Sequence, residues 1–175
     1  MKENFRTLHV DLHPTKCNLC GGKVIYMQNA KIYGEKFGSG MCYYCTNCNA
    51  SVGTHESNPE EAYGLLSNAK MKYMRKKCHS LFDTIWQVPQ KKFKPSYVRG
   101  ELYRWLAKQL NIRWEDCHFG YFDLDMLNEA RDILIKVQGK RFKIYPKRKK
   151  DPHFIERDAQ QTNGKGKDNE SKKIA

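Results

Sequence analysis

The sequence predicts an α+β protein: a three-stranded ribbon at the N-terminus, packed on a small cluster of about three α-helices, and then a disordered basic C-terminal tail. Three observations carry this reading. Two Cys-x2-Cys pairs bracket a glycine-broken stretch of alternating residues between positions 17 and 54. Apolar residues then recur at spacings of three and four as far as position 137, the period of helices buried on one side. Beyond position 146 apolar residues become scarce and lysines accumulate. The implied division is a ribbon over residues 1–58, a helical region packed on it over 59–145, and a tail over 146–175.

The ribbon is built on sulfur. The cysteines are Cys17, Cys20, Cys42, Cys45, Cys48, Cys78 and Cys117. The first ten residues hold no apolar segment of the kind that directs secretion, and an odd number of cysteines in such a chain argues against a disulfide framework. Cys17-x2-Cys20, a spacer of 24 residues and Cys45-x2-Cys48 form two knuckles. Four thiolates presented in this way suit one Zn2+ ion in a closed, structural site with no open position for Lewis-acid chemistry. Gly21 and Gly22 follow the first knuckle, and Asn49 and Ala50 the second. Gly and Asn supply the backbone turn that a knuckle needs, which selects Cys45 and Cys48 over the competing pair Cys42 and Cys45. Strands are expected at 23–27, 40–44 and 50–54, with Gly34, Gly38, Ser39 and Gly40 breaking the spacer. Three short strands bury little area, so the metal is expected to hold them together.

Helices follow. Met71, Met74, Cys78, Leu81 or Phe82, and Ile85 mark one over 67–86. Pro89 and Pro95 enclose a basic linker, and Ser96 is expected to cap a second helix running to Leu110 with Val98, Leu102, Leu106 and Leu110 inward. Asp123 is expected to cap a third, with Leu127, Ala130, Leu134 and Val137 inward and Gly139 at its end.

Charge supplies the functional signal. Lys and Arg number 32 against 19 Asp and Glu, a net charge of +13. Residues 70–108 hold 11 basic side chains against Asp83 and Glu101, and residues 136–175 hold 13 against 5 acidic ones. Such blocks are rewarded by phosphate backbones through counterion release, although a solvated face would look similar. Candidate phosphate contacts are Lys70, Lys72, Arg75, Lys76 and Lys77 on the first long helix, Lys91, Lys92 and Lys94 in the linker, and Lys147, Arg148, Lys149 and Lys150 in the tail. Tyr43, Tyr44, Trp86, Trp105 and Trp114 are candidate stacking faces, with Trp86 and Trp105 also suited to the core.

Other candidate chemistry is sparse. His79 and Asp83 lie one helical turn apart, His55 follows the last strand, and His118 lies in the loop 115–120. If they converge, they make a second metal site or an acid–base constellation. The competing reading is a set of local hydrogen bonds. Gly34-x3-Gly38-x-Gly40 opens no helix and so lacks the setting of a phosphate loop. No apolar run approaches the roughly 20 residues needed to span a bilayer.

The order of motifs carries a resemblance. Cys17-Asn18-Leu19-Cys20 is followed by a second knuckle that runs from Tyr44 to His55. Then come the run from Arg75 to Trp86, Tyr103-Arg104-Trp105-Leu106-Ala107, and Cys117-His118-Phe119-Gly120. Over about residues 17–130 this resembles the zinc-finger-containing domain family of unknown function met in tailed phages, prophages and bacteria. The resemblance implies a zinc-ribbon fold and a phage-like setting, and no established activity. Where it implies a Pro-Leu-Gly turn, the chain has Ala62-Tyr63-Gly64-Leu65.

The sequence therefore points to a zinc-ribbon protein of the cytoplasm that binds DNA or RNA through its basic helix and tail. One alternative is a phage accessory protein that binds a host protein with an acidic surface, such as a transcription or defence factor. Another is a metal-dependent nuclease built on His55, His79, Asp83 and His118.

Overall fold

The computed structural model describes residues 5–87 and 93–140. The tail and six candidate phosphate contacts (Lys91, Lys92, Lys147, Arg148, Lys149 and Lys150) lie outside them.

Strands β1 (Val24–Gln28), β2 (Met41–Cys45) and β3 (Ser51–Gly53) form one antiparallel sheet in chain order. Cross-strand pairing places Val24 opposite Cys45, and Tyr26 opposite Tyr43, which in turn faces Val52. Side chains alternate across a pleated sheet, so these residues share one face. That face buries Val24, Tyr43, Cys45 and Val52 against Cys17, Ala50, Ala62 and Leu66. The other face carries Cys42 opposite Gly53, and Tyr44 opposite Ser51. The spacer contains an element that the glycine pattern did not foretell: a single helical turn, α1 (Ala30–Tyr33), ended by Gly34 in the left-handed conformation. Buried Asn29 pins this turn, since its side chain both donates to and accepts from the backbone of Phe37.

Three longer helices follow: α2 (Ala69–Trp86), α3 (Pro95–Leu110) and α4 (Leu124–Val137). Asn68 caps α2 by accepting from the Met71 amide, and Asp123 caps α4 by accepting from the Met126 amide. The cap expected at Ser96 is not there. Lys94 takes the N-cap position and Pro95 begins α3, because a proline's fixed φ and missing N–H suit the first helical turn. The three helices share a core centred on Phe82, Leu102, Leu106, Leu127 and Leu134, and the turn Phe119–Tyr121 inserts Phe119 into it. Val137 is only half-buried at its margin.

The ribbon meets the helices at the departure noted in the sequence. The 62–67 segment extends the sheet, with Thr54 bridging Ala62 and Ser51 bridging Ser67. It then crosses the loop that holds Phe119. Gly64 and Gly120 touch backbone to backbone: a Cβ on Gly64 would lie 2.2 Å from the Gly120 carbonyl oxygen, and one on Gly120 would lie 2.4 Å from that of Tyr63. The Leu65 amide donates to the Gly120 carbonyl at 3.0 Å. Arg75 locks the crossing by donating to the carbonyls of Leu65 and Gly120 and to Ser67 Oγ.

Candidate metal centre and basic face

The two knuckles are held by the sheet, since Cys45 ends β2 opposite Val24 and the first knuckle folds back on the strand through the Val24 amide to Thr15 carbonyl bond. Cys17 and Cys45 are buried, whereas Cys20 and Cys48 are exposed. All four Sγ atoms lie within 4.8 Å of one another. Cys17 and Cys48 are 3.7 Å apart, and Cys20 and Cys45 are 3.5 Å apart. These separations are far longer than the roughly 2 Å of a disulfide. They match the edge of a tetrahedron, about 3.8 Å, that metal–sulfur bonds of about 2.3 Å would generate.

The surroundings fit the same ion. The amides of Leu19 and Gly22 donate to Cys17 Sγ and Cys20 Sγ, each at 3.4 Å. Gly22 has no room for a side chain, because a Cβ there would lie 3.2 Å from Cys20 Sγ, 3.3 Å from Cys45 Sγ and 2.6 Å from Asn47 Cβ. Hydrogen bonds from the Asn47 side chain and the Gly22 amide lower the Cys20 thiol to about 6. Cys48 receives an Ala50 amide that pulls it down, yet burial and the three neighbouring thiols push it up to about 12. Four thiols this close cannot all ionise without mutual repulsion, and a divalent cation removes that conflict. The four cysteines form one structural zinc site, which supplies cross-linking between the hairpin tips.

Residues 13–137 match the family described as zinc-finger-containing domain. The chain belongs to that family. No curated protein and no solved structure matches it. The matched span of this zinc-finger-containing domain takes in the ribbon, the Gly64–Gly120 crossing and the three long helices.

The sequence-derived basic face divides in two. Lys70, Lys76 and Lys77 project into solvent on one side of α2, together with Tyr73, which is 63% exposed. Lys72 reaches the ribbon instead, where its Nζ donates to Ser51 Oγ at 2.7 Å and to the Tyr33 hydroxyl at 3.0 Å. Arg75 is not a surface contact. It is half-buried in the crossing, and burial pulls its guanidinium down to about 10. Its helical position, one turn after Met71, turns it toward the core side, which a count of charges does not register. Lys94 is exposed at the start of α3.

The four candidate catalytic residues are not assembled as a metal site. Among the described residues, no group of three or more His, Cys, Asp or Glu ligand atoms converges other than the four thiols. Asp83 accepts from the Trp86 indole at 2.6 Å. His79 lies edge-on to Phe119, His55 packs on Tyr63, and His118 lies beside Tyr121. Burial, together with Arg99, lowers both His79 and His118, with Asp83 opposing this at His79. Cys117 is buried, which pushes its thiol up to about 12, so the Cys117-His118 pair offers no thiolate.

The candidate stacking faces are largely engaged. Tyr43 is buried in the ribbon core, Tyr44 donates to Asn49, Trp86 and Trp105 pack against the helical core, and Arg104 lies over Trp114 at 4.9 Å. Sequence reasoning missed three further part-exposed aromatics. Tyr33 is 47% exposed, Phe37 51% and Tyr63 46%, and all three lie on irregular or one-turn segments without periodicity.

No helix among the described residues is long and apolar enough to cross a membrane.

Proposed function

We propose that this zinc-finger-containing protein binds nucleic acid through the phosphate backbone, with the outer face of α2 as the docking surface. The carrying observation is the placement of Lys70, Lys76, Lys77 and Tyr73 on one exposed stripe of a helix whose first turn holds no acidic residue. Lysine near a helix N-terminus opposes the helix dipole, at a cost of about 0.3–1 kcal/mol for an exposed charge. Lys70 and Lys72 both stand at that end of α2, and its last turn holds no basic residue to match the dipole. Helix stability therefore does not account for the arrangement, whereas attraction of a polyanion does. The zinc cross-link and the Arg75 lock make the platform rigid, so little ordering entropy opposes docking. Lys94 and the basic residues beyond position 140 would extend the phosphate track in the same chain, and a phage or prophage setting is part of this reading.

The test is binding of zinc-loaded protein to fluorescein-labelled oligonucleotides at several salt concentrations, read by anisotropy. Affinity should fall log-linearly with salt, by about 0.7–0.9 in slope per phosphate contact. K70E/K76E/K77E should weaken binding and flatten the slope by about 2–3 units. Absence of binding to DNA and RNA at low salt, or an affinity that ignores salt, refutes the proposal. Recovery of one stoichiometric protein from nuclease-treated cells, with no nucleic acid, would favour a protein partner instead.

A further inference from the structure

The sheet face opposite the ribbon core carries a cavity of about 380 Å³, bounded by Tyr33, Phe37, Met41, Cys42, Gly53 and Tyr63. Its size falls within the range of small-ligand clefts, about 300–1,000 Å³. Three half-exposed rings form its walls. Tyr33 and Phe37 meet edge to face at 5.9 Å, and Tyr63 lies over Gly53, whose missing side chain keeps the floor open. A soluble protein gains nothing by leaving three aromatic rings beside one apolar cavity, so an occupant with a flat face is indicated.

The charges around the mouth say what that face is attached to. Lys72 Nζ lies 5.5 Å from the Tyr33 ring centroid and bonds its hydroxyl. Lys72 is carried by α2, one turn before Lys76 of the lysine stripe already described, so it links that helix to the Tyr33 wall of the cavity. Lys36 lays its stem along Gly40, where a Cβ would meet Lys36 Cε at 2.5 Å. One acid also approaches the lining: Glu56 Oε1 is 3.8 Å from where Gly38 would place a Cβ. Lys72 therefore sets a positive charge beside the Tyr33 wall, which suits a ligand that joins a flat ring to a negative group.

We infer that this cavity takes an unpaired nucleobase, with Tyr33, Phe37 and Tyr63 as its walls and Lys72 beside the adjoining phosphate, so that single strands are the preferred nucleic acid. The inference rests on the phosphate-binding reading above. A duplex keeps its bases stacked and paired inside the helix and can offer the cavity none, whereas a single strand splays its bases onto aromatic faces while its backbone follows the cations. The stacking is indifferent to which base it holds, because every base has a π face.

The experiment compares a 20-nucleotide single strand with its duplex at one salt concentration, using the full zinc-loaded chain. Wild type should bind the single strand more tightly. Phe37→Ala and Tyr63→Ala should each weaken single-strand binding about tenfold, the effect of losing a stacked base, and leave duplex binding and the salt slope unchanged. Gly53→Val gives a second route to the same result, because its Cβ meets Tyr63 at an ordinary 3.5 Å and fills the floor without deleting a ring. Zinc content and melting temperature equal to wild type show that each variant is folded. Equal affinity for single strand and duplex, with all three variants behaving as wild type, overturns the base pocket and leaves phosphate binding standing. No binding of either oligonucleotide at low salt overturns both.

Discussion

Replacing Gly120 by alanine puts one methyl group where two backbones cross, and the consequence follows from distances. The added Cβ would lie 2.4 Å from the Tyr63 carbonyl oxygen, so the segments must part by about 0.6 Å merely to restore a 3.0 Å contact. The crossing is held by the Leu65 amide at 3.0 Å and by Arg75 Nη2 at 2.8 Å, both on the Gly120 carbonyl. Separation stretches both bonds toward the limit of useful geometry. A neutral hydrogen bond contributes about 0.5–1.5 kcal/mol and one from a charged group about 1.5–3, so loss of both costs about 2–4.5 kcal/mol. For a domain of this size that is a fall of about 10 °C in melting temperature. Gly120 does not have a positive φ, so the effect is steric and carries no backbone-strain component. Differential scanning fluorimetry at saturating zinc reads it. Gly100→Ala serves as the internal control: it lies inside α3 with nothing nearer than Arg104 Nη1 at 3.7 Å, and alanine there should stabilise by about 0.5–1 kcal/mol. A Gly120→Ala protein that melts within 2 °C of wild type, where no such shift would separate it from an ordinary surface change, would falsify the account of the crossing.

Metal removal should separate the two cores. A strong chelator, or Cys45→Ala, should abolish binding of one zinc per chain by native mass spectrometry and erase the near-ultraviolet signal of the ribbon tyrosines. Much of the helical signal at 222 nm should survive, because α2, α3 and α4 share their own apolar cluster; unchanged tyrosine signals after chelation would contradict this. Cobalt substitution should give the absorption of a tetrahedral tetrathiolate, and an octahedral spectrum would rule out the four-sulfur geometry. His79 and His118 should both titrate below 6.5, burial being the main cause. The unfolded chain then holds more protons than the folded one between the two values, so stability rises with pH across that window and is lost on acidification through it. Imidazole chemical shifts read this directly, and midpoints at or above 6.5 would refute it. Arg75→Met should destabilise by about 3 kcal/mol or more while leaving the salt slope of any nucleic-acid binding intact, since it strips donors from carbonyls in the crossing; a flattened slope in folded protein would return Arg75 to the phosphate track.

Much of the architecture was legible because it rests on local chemistry. The Cys-x2-Cys spacing forces a tight turn that aims two sulfurs at one point, and the metal valence demands a second such turn, so Cys17, Cys20, Cys45 and Cys48 could be read without coordinates. The same is true of α2 and α4, where Asn68 and Asp123 cap an apolar stripe of helical period, although Asn68 itself escaped notice. At α3 the local signals competed: Ser96 is a good cap by type, but Pro95 already supplies the first-turn geometry and pushes the cap back to Lys94. Side-chain destinations were a different matter. Arg75 and Lys77 read alike as cations two positions apart on a basic helix, yet one closes a backbone crossing and the other faces water. Tyr33 and Phe37 come from the spacer and Tyr63 from the 62–67 segment, about 30 residues later in the chain, and only the fold of both segments about the outer sheet face brings them around one cavity. Sequence alone determined which atoms bind the ion and roughly where the three strands and three long helices fall, because those choices depend on neighbours within a turn or two. Tertiary structure decided which charges stay exposed and where the aromatic rings gather, because burial and close approach depend on residues that the chain brings together from dozens of positions apart.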